Sequence, residues 1–183
     1  MKKLILISVF TGTLVCNQAQ TLRSIGLGYF GETGVYKGLV LEMEREPVHS
    51  ERFSTPLRVD LGFYSHPRNH DALFLDLHQG LRRSLNNGII LESSVGVGIM
   101  LSIYNEPVFS VSEDGTVREA SRLAAPDLMP SITLGAGYDL ARSPEKRAMI
   151  WIRPKLFWQY PYNTLALPHL ALQIGYTHTL KSL

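Results

Sequence analysis

The chain has 183 residues, with 18 Lys+Arg against 16 Asp+Glu and a formal charge of +2. Hydrophobic residues make up 45 % and charged residues 19 %, too apolar for a disordered chain and lean in charge for a soluble domain. The surplus belongs to Lys2 and Lys3. Without them 16 bases face 16 acids, so no basic surface for nucleic acid is expected.

Met1-Lys2-Lys3 is a short positive segment, and Leu4 to Val15 carries no charge. Asn17-Gln18-Ala19 then offers a small residue at a cleavage position. That order reads as a secretory signal peptide over residues 1–19, too short to span a bilayer, leaving 20–183 as the mature domain. Cys16, the single cysteine, would leave with the signal, since Val15 before it makes a poor lipoprotein acceptor. An exported chain without cysteine holds itself together without disulfides and has no Cys/His zinc cluster.

Beyond the signal the pattern is period-2 alternation broken by turn residues. In Ile89 to Tyr104 one parity reads Ile, Leu, Ser, Val, Val, Ile, Leu, Ile. The other reads Ile, Glu, Ser, Gly, Gly, Met, Ser, Tyr. A strand separates these two sets; a helix would mix them. Asn86-Asn87-Gly88 is a tight-turn signal joining this strand to the one before it, which sets Arg82 near Glu92 and His78 near Gly96. The same logic predicts strands at about 22–30, 35–46, 56–65, 72–84, 89–104, 127–140, 147–159 and 167–180. The long connection from Asn105 to Pro126 is expected to hold a small hairpin, Phe109–Ser112 and Thr116–Glu119. Eight strands with mostly short links make an antiparallel meander, which closes naturally into a barrel.

Which face points inward separates a soluble lipocalin-like barrel from a membrane barrel. The polar parity carries nine of the fifteen glycines: Gly26, Gly28, Gly62, Gly80, Gly96, Gly98, Gly135, Gly137 and Gly175. Glycine weakens a strand, and a solvent-facing surface has no use for it. An eight-strand lumen, barely wide enough for side chains, does. Glu42, Glu44, Arg58, Asp60, Tyr64, Asp76, His78, Arg82, Glu92, Asp139, Arg153 and Lys155 share that parity and are expected to pair inside the lumen as an almost purely polar network. The opposite parity, such as Leu57, Val59, Leu61 and Phe63, is nearly charge-free and would face lipid. Tyr29, Phe63, Tyr104, Tyr138, Trp158, Tyr160 and Tyr176 fall near strand ends as an aromatic girdle, with Tyr104 off the outward parity.

The signal peptide, the eight amphipathic strands and the final strand Pro168–Leu180 resemble the small outer-membrane β-barrel proteins of Gram-negative bacteria, of OmpA/OmpX type. The likeness is one of pattern and covers the whole mature chain. A departure lies in the ending Lys181-Ser182-Leu183, where such proteins commonly finish on an aromatic residue. The resemblance implies an all-β, closed, antiparallel up-and-down transmembrane barrel, location in the outer membrane, outer-membrane lipid as surroundings, and folding by the outer-membrane assembly machinery. No catalytic residue carries over.

Some barrels of this size modify lipid A, and strands four and five supply Asp76, His78, Glu92 and Ser94 as ingredients for serine hydrolysis. The lipid A deacylase pattern His-x-Ser is absent from all six histidines, and inward placement hides these groups from lipid. His66, His70 and Asp71 flank one loop as a possible divalent-metal set, against a plain solvated turn. The leading expectation is a non-enzymatic structural or surface-interaction barrel with a filled lumen and no cofactor, meeting an extracellular partner through loop 105–126. A lipid-modifying envelope hydrolase and a periplasmic lipocalin-like binder are the alternatives.

Overall fold

The computed structural model describes residues 22–50, 52–112, 115–121, 123, 126–141, 148–162 and 165–180. The predicted signal peptide, Cys16 and the ending Lys181-Ser182-Leu183 lie outside them. Among these residues there are eleven strands: β1 (Leu22–Glu32), β2 (Tyr36–Glu46), β3 (Phe53–Ser54), β4 (Leu57–His66), β5 (His70–Ser84), β6 (Ile89–Tyr104), β7 (Val108–Val111), β8 (Val117–Ala120), β9 (Asp127–Asp139), β10 (Ala148–Tyr162) and β11 (Leu165–Leu180). Eight of them form one closed antiparallel sheet in the cyclic order β1-β2-β4-β5-β6-β9-β10-β11, with β11 pairing back onto β1. Strands β7 and β8 form the separate hairpin expected in the long connection. The turn at Asn86-Asn87-Gly88 sets the predicted register, Arg82 opposite Glu92 and His78 opposite Gly96, with Gly88 at φ 88°.

The register fixes the barrel's shape. From Arg23 the partners run Arg45, Leu57, Gln79, Val95, Ile132, Leu156 and Leu170. The circuit returns to β1 at Thr33, whose N–H donates to the Leu170 carbonyl. It therefore closes ten residues from where it began, at 33 instead of 23. Ten residues of about 3.3 Å against eight strand spacings of about 4.8 Å give a tilt of about 40°. The backbone cylinder is then roughly 16 Å across, which leaves room inside for side chains and little else.

Burial alternates along most of the strand length; β2, for instance, reads exposed-buried from Lys37 to Glu46. The outward face is apolar: Leu27, Leu39, Met43, Leu61, Leu75, Val97, Leu134 and Leu170 are all exposed. Among the described residues of the eight barrel strands, the charged side chains at outward positions are Arg23, Lys37, Arg45, Asp71 and Arg83, all near strand ends. At a 40° tilt the rings they define lie roughly 25 Å apart along the axis, the height of a membrane barrel's apolar band. A lipocalin-like barrel would put this face inward, so that alternative is reversed by the structure. Within the band Phe63, Trp158 and Tyr160 lie toward one edge and Tyr138 and Tyr176 toward the other. Tyr29 departs from the expected girdle, since its register places it near mid-height. Tyr104 faces inward against His70.

Candidate functional site in the barrel lumen

The inward face is stacked in layers, described from the end that holds both chain termini toward the end that holds loop 105–126. At the termini end Arg82 is the hub. Its guanidinium donates to both oxygens of Glu44 at 2.7 and 2.6 Å, to Glu92 Oε2 at 2.9 and 2.5 Å, and to Glu46. Glu46 also meets His49 Nδ1 at 2.7 Å. Arg58 donates to Glu92 Oε1 at 2.6 Å and to Asp60 Oδ1 at 3.0 Å. Arg153 donates to Glu42 and lies 3.3 Å from Glu92, with its guanidinium 4.0 Å over the Trp151 ring. Trp151 Nε1 in turn donates to Thr177 Oγ1 at 2.8 Å. A buried charge is expensive unless paired, and here each guanidinium faces carboxylates from other strands. Bidentate forks fix distance and angle together, which ties β2, β4, β5, β6 and β10 into one rigid layer.

The middle layer centres on Asp76. Its Oδ2 lies 2.7 Å from Lys155 Nζ and 2.9 Å from His78 Nε2, and accepts from Ser131 Oγ at 2.8 Å. His78 Nδ1 is 3.3 Å from Ser94 Oγ, which also meets Thr133 Oγ1. The nine residues expected to form the lumen network (Glu42, Arg58, Asp60, Asp76, His78, Arg82, Glu92, Arg153 and Lys155) all have buried side chains. Asp139, assigned inward with them, lies at the strand end and is only half-buried.

Above Lys155 the expectation of an almost purely polar lumen fails. Phe30, Tyr64, Phe74, Phe157, Val40, Met100 and Met129 point inward and fill the barrel. Phe30 stacks against Tyr64 at 5.5 Å and lies 4.9 Å from Phe74. The Lys155 ammonium sits 4.9 Å from the Phe74 centroid and 6.0 Å from those of Phe30 and Phe157, so it joins the aromatic layer to the charged one. These apolar residues share the parity of Asp76 and Lys155, and that shared parity is the signal that finds them. Glycines make the space. A Cβ at Gly62 would run into the Phe74 ring, and one at Gly28 would come within 2.7 Å of Trp151.

At the loop end a rim of imidazoles closes the lumen. His169 Nδ1 lies 3.1 Å from Glu32 Oε1 and its ring stacks on Phe157. His66 stacks on Tyr36 at 3.6 Å, and His70 Nε2 meets the Tyr64 hydroxyl at 3.3 Å. The set His66, His70 and Asp71 is not assembled as a metal site. His66 and His70 face each other across the β4–β5 pair, while Asp71, the next residue, projects from the opposite face of the strand. Among the described residues no group of three His, Cys, Asp or Glu side chains is arranged to hold a metal ion.

Of the four candidate hydrolytic residues, three come together: Asp76, His78 and Ser94 make a continuous contact. Glu92 is not part of it, its carboxylate being held in the arginine layer. The contact has the order of a catalytic triad, but it lies between the aromatic layer above and the arginine layer below. His78 is fully buried and Ser94 is 6 % exposed.

No protein-family model matches the sequence, and no curated protein sequence matches it. Among solved structures, Neisserial surface protein A is similar over 90 % of this chain and 98 % of its own, with a TM-score of 0.57 and 6 % identity. The fold is that of the small outer-membrane β-barrels. The outer membrane enzyme PagL is similar over 84 % of this chain and 97 % of its own, with a TM-score of 0.48 and 8 % identity. Ail, the attachment invasion locus protein of Yersinia pestis, is similar over 86 % and 97 %, at 0.45 and 13 %. At such identities an outer-membrane barrel fold is what is shared; the lumen layers are described from this chain's own residues.

Proposed function

We propose that the protein is a non-enzymatic integral barrel of the outer membrane, with a lumen sealed by its own side chains and its contacts with other molecules made at the loop end. The observation that carries this reading is the double seal. The Arg58–Arg82–Arg153 layer and the Phe30–Phe74–Phe157 layer fill the lumen at separate heights, so neither solute flow nor lipid entry reaches its interior. An outer-membrane setting is supported by the charge-free outward band, and interaction at the loops by the β7–β8 hairpin, where Phe109, Val111 and Val117 are exposed outside the barrel wall.

Fractionation of cells expressing the chain tests the location, with the protein expected in the detergent-extracted outer-membrane fraction. Release into soluble periplasm refutes it. Mass spectrometry of lipid A from cells with and without the protein tests the chemistry. Identical spectra are expected, and a lost acyl chain would establish a hydrolase instead. Protease added to intact cells should cut within 105–126; full protection of that loop would reverse the orientation.

A further inference from the structure

At the loop end the barrel wall splits. The β2–β4 ladder stops at the pair Gly38–Tyr64, although β2 reaches back to Tyr36 and β4 runs on to His66. Beyond that pair β2 bonds only to β1, and β4 only to β5, so the two hairpin tips part. Between them lies a cleft of about 560 Å³, lined by Val35, Tyr36, Lys37, Ser65, Pro67 and Arg68. The Tyr36 ring in its lining is backed by His66, stacked at 3.6 Å. Both tips are held. In the β1–β2 tip the Gly34 and Val35 N–H groups donate to the Gly31 and Glu32 carbonyls, and Thr33 is tied to β11 through Leu170. Asn105 holds the β4–β5 tip, its backbone N–H donating to the Asn69 carbonyl and its side-chain amide to those of His66 and Pro67. Lys37 and Arg68 are exposed, and neither has an ion-pair or hydrogen-bond partner among the described residues. Asp71, the β5 partner of Ser65, is outside the lining. One outward step below Lys37 and Ser65 stands the pair Leu39–Phe63, and below it Leu41–Leu61, all four exposed. The cleft thus combines two unpaired cations with an apolar track that starts at its lower edge.

We propose that this cleft binds the phosphorylated headgroup of lipid A in the leaflet at the loop end. Lys37 and Arg68 hold the phosphate, and an acyl chain lies along Leu39–Phe63 and Leu41–Leu61. This rests on the reading of the protein as an integral outer-membrane barrel with loop 105–126 outside. The Arg68 guanidinium offers a planar fork that matches two phosphate oxygens, and Lys37 adds a compact charge with three donors. Walls already fixed by backbone bonds lose little freedom when a ligand enters. A small soluble anion would use the two cations and leave Val35, Pro67 and the apolar track without a partner; a lipid uses both. The glycolipid is chosen over a phospholipid by position. The longest connection, 105–126, leaves from this same end, and outer-membrane barrels carry their long loops on the outside, where lipid A forms the leaflet.

The test is native mass spectrometry of the detergent-solubilised full chain, offered equal amounts of lipid A and of the same lipid A with its phosphates removed. The wild type should retain the phosphorylated form about 25-fold better. Lys37→Gln or Arg68→Gln should each cut that preference about fivefold, and the two together should abolish it. Arg23→Gln, at the opposite edge, should leave it unchanged. Ser65→Trp fills the cleft while keeping both charges, so it should lower retention of phosphorylated lipid A at least about fivefold. Separate arms replace lipid A by phosphatidylglycerol or add excess inorganic phosphate. Phosphatidylglycerol should be held more weakly, and inorganic phosphate should not displace the lipid. Equal retention of the two lipid A forms by the wild type overturns the proposal, as does a preference that survives the double Gln substitution. Retention untouched by Ser65→Trp, or lost equally with Arg23→Gln, shows charge acting without the cleft and overturns it too. Phosphatidylglycerol held as tightly as lipid A, or displacement by inorganic phosphate, overturns the choice of occupant. Resistance of the folded barrel to detergent at room temperature is read on each sample. If the wild type forms no detergent-resistant barrel, the membrane reading fails; if it forms one without lipid preference, only the cleft proposal does.

Discussion

Lys155 Nζ lies 2.7 Å from Asp76 Oδ2, joining β10 to β5 across the lumen where the charged layers meet the aromatic one. The two side chains are completely buried. Breaking a buried pair by removing one partner strands the other charge, at a typical cost of about 3–5 kcal/mol, whereas removing both is far milder. Lys155→Met should therefore lower unfolding stability by that amount, and Asp76→Asn should cost less because Ser131 and His78 still contact the group. The double substitution should be more stable than Lys155→Met alone. Urea titration followed by Trp151 and Trp158 fluorescence checks this, and a double variant as weak as the sum of the singles would refute the coupling.

Gly62 and Phe74 pack face to face across the β4–β5 pair, where any Cβ at 62 collides with the ring. Gly62→Ala should destabilise by about 1–3 kcal/mol through overpacking. In a Phe74→Leu background the same change should cost under about 1 kcal/mol, because the shorter side chain leaves the Cβ its space. A cycle of the four proteins measures the difference.

Alternation made the wall legible, and turn chemistry made the β5–β6 register legible down to the Arg82–Glu92 contact. Parity also carried information that residue polarity concealed. Phe30, Phe74 and Phe157 are apolar, yet each alternates in step with glycines and charged residues and so points inward. The expectation of an almost purely polar lumen passed over them, because it weighed only the polar residues and glycines of that parity. Asp71 shows the converse: beside His70 in sequence, it lies on the other face of the strand. The Glu32–His169 contact could not be read locally at all, since it forms only when the last strand closes on the first.

Two seals at different heights predict a specific conductance pattern. Phe30→Ala with Phe74→Ala opens the aromatic layer but leaves the arginine layer intact. Glu44→Ala with Arg82→Ala thins the arginine layer by removing a matched pair, leaving the aromatic layer closed. Planar bilayer recordings should show no steady current for the wild type or for either double variant. The four substitutions combined should conduct, with cation preference, because Glu42, Glu46, Asp60, Asp76 and Glu92 remain along the path. Steady current from either double variant alone would mean that one layer is not a seal.

Asp76, His78 and Ser94 have the connectivity of a hydrolytic triad, and the decisive question is access rather than geometry. A nucleophile must reach a substrate carbonyl, and Ser94 already spends its hydroxyl on His78 and Thr133 within a filled lumen. Acting structurally, it ties β6 to β5 and β9, and its loss leaves the Thr133 hydroxyl and one His78 nitrogen short of a partner. Ser94→Ala should therefore cost about 1–3 kcal/mol of stability, the penalty for stranding buried polar groups. Ser94→Cys, which retains a weak donor, should cost less. Neither should alter the lipid A spectrum of cells producing the protein. A hydrolase would give the opposite pair of results, with stability little changed and an acyl-chain difference abolished by Ser94→Ala, so unfolding titration and lipid mass spectrometry on the same two variants separate the roles.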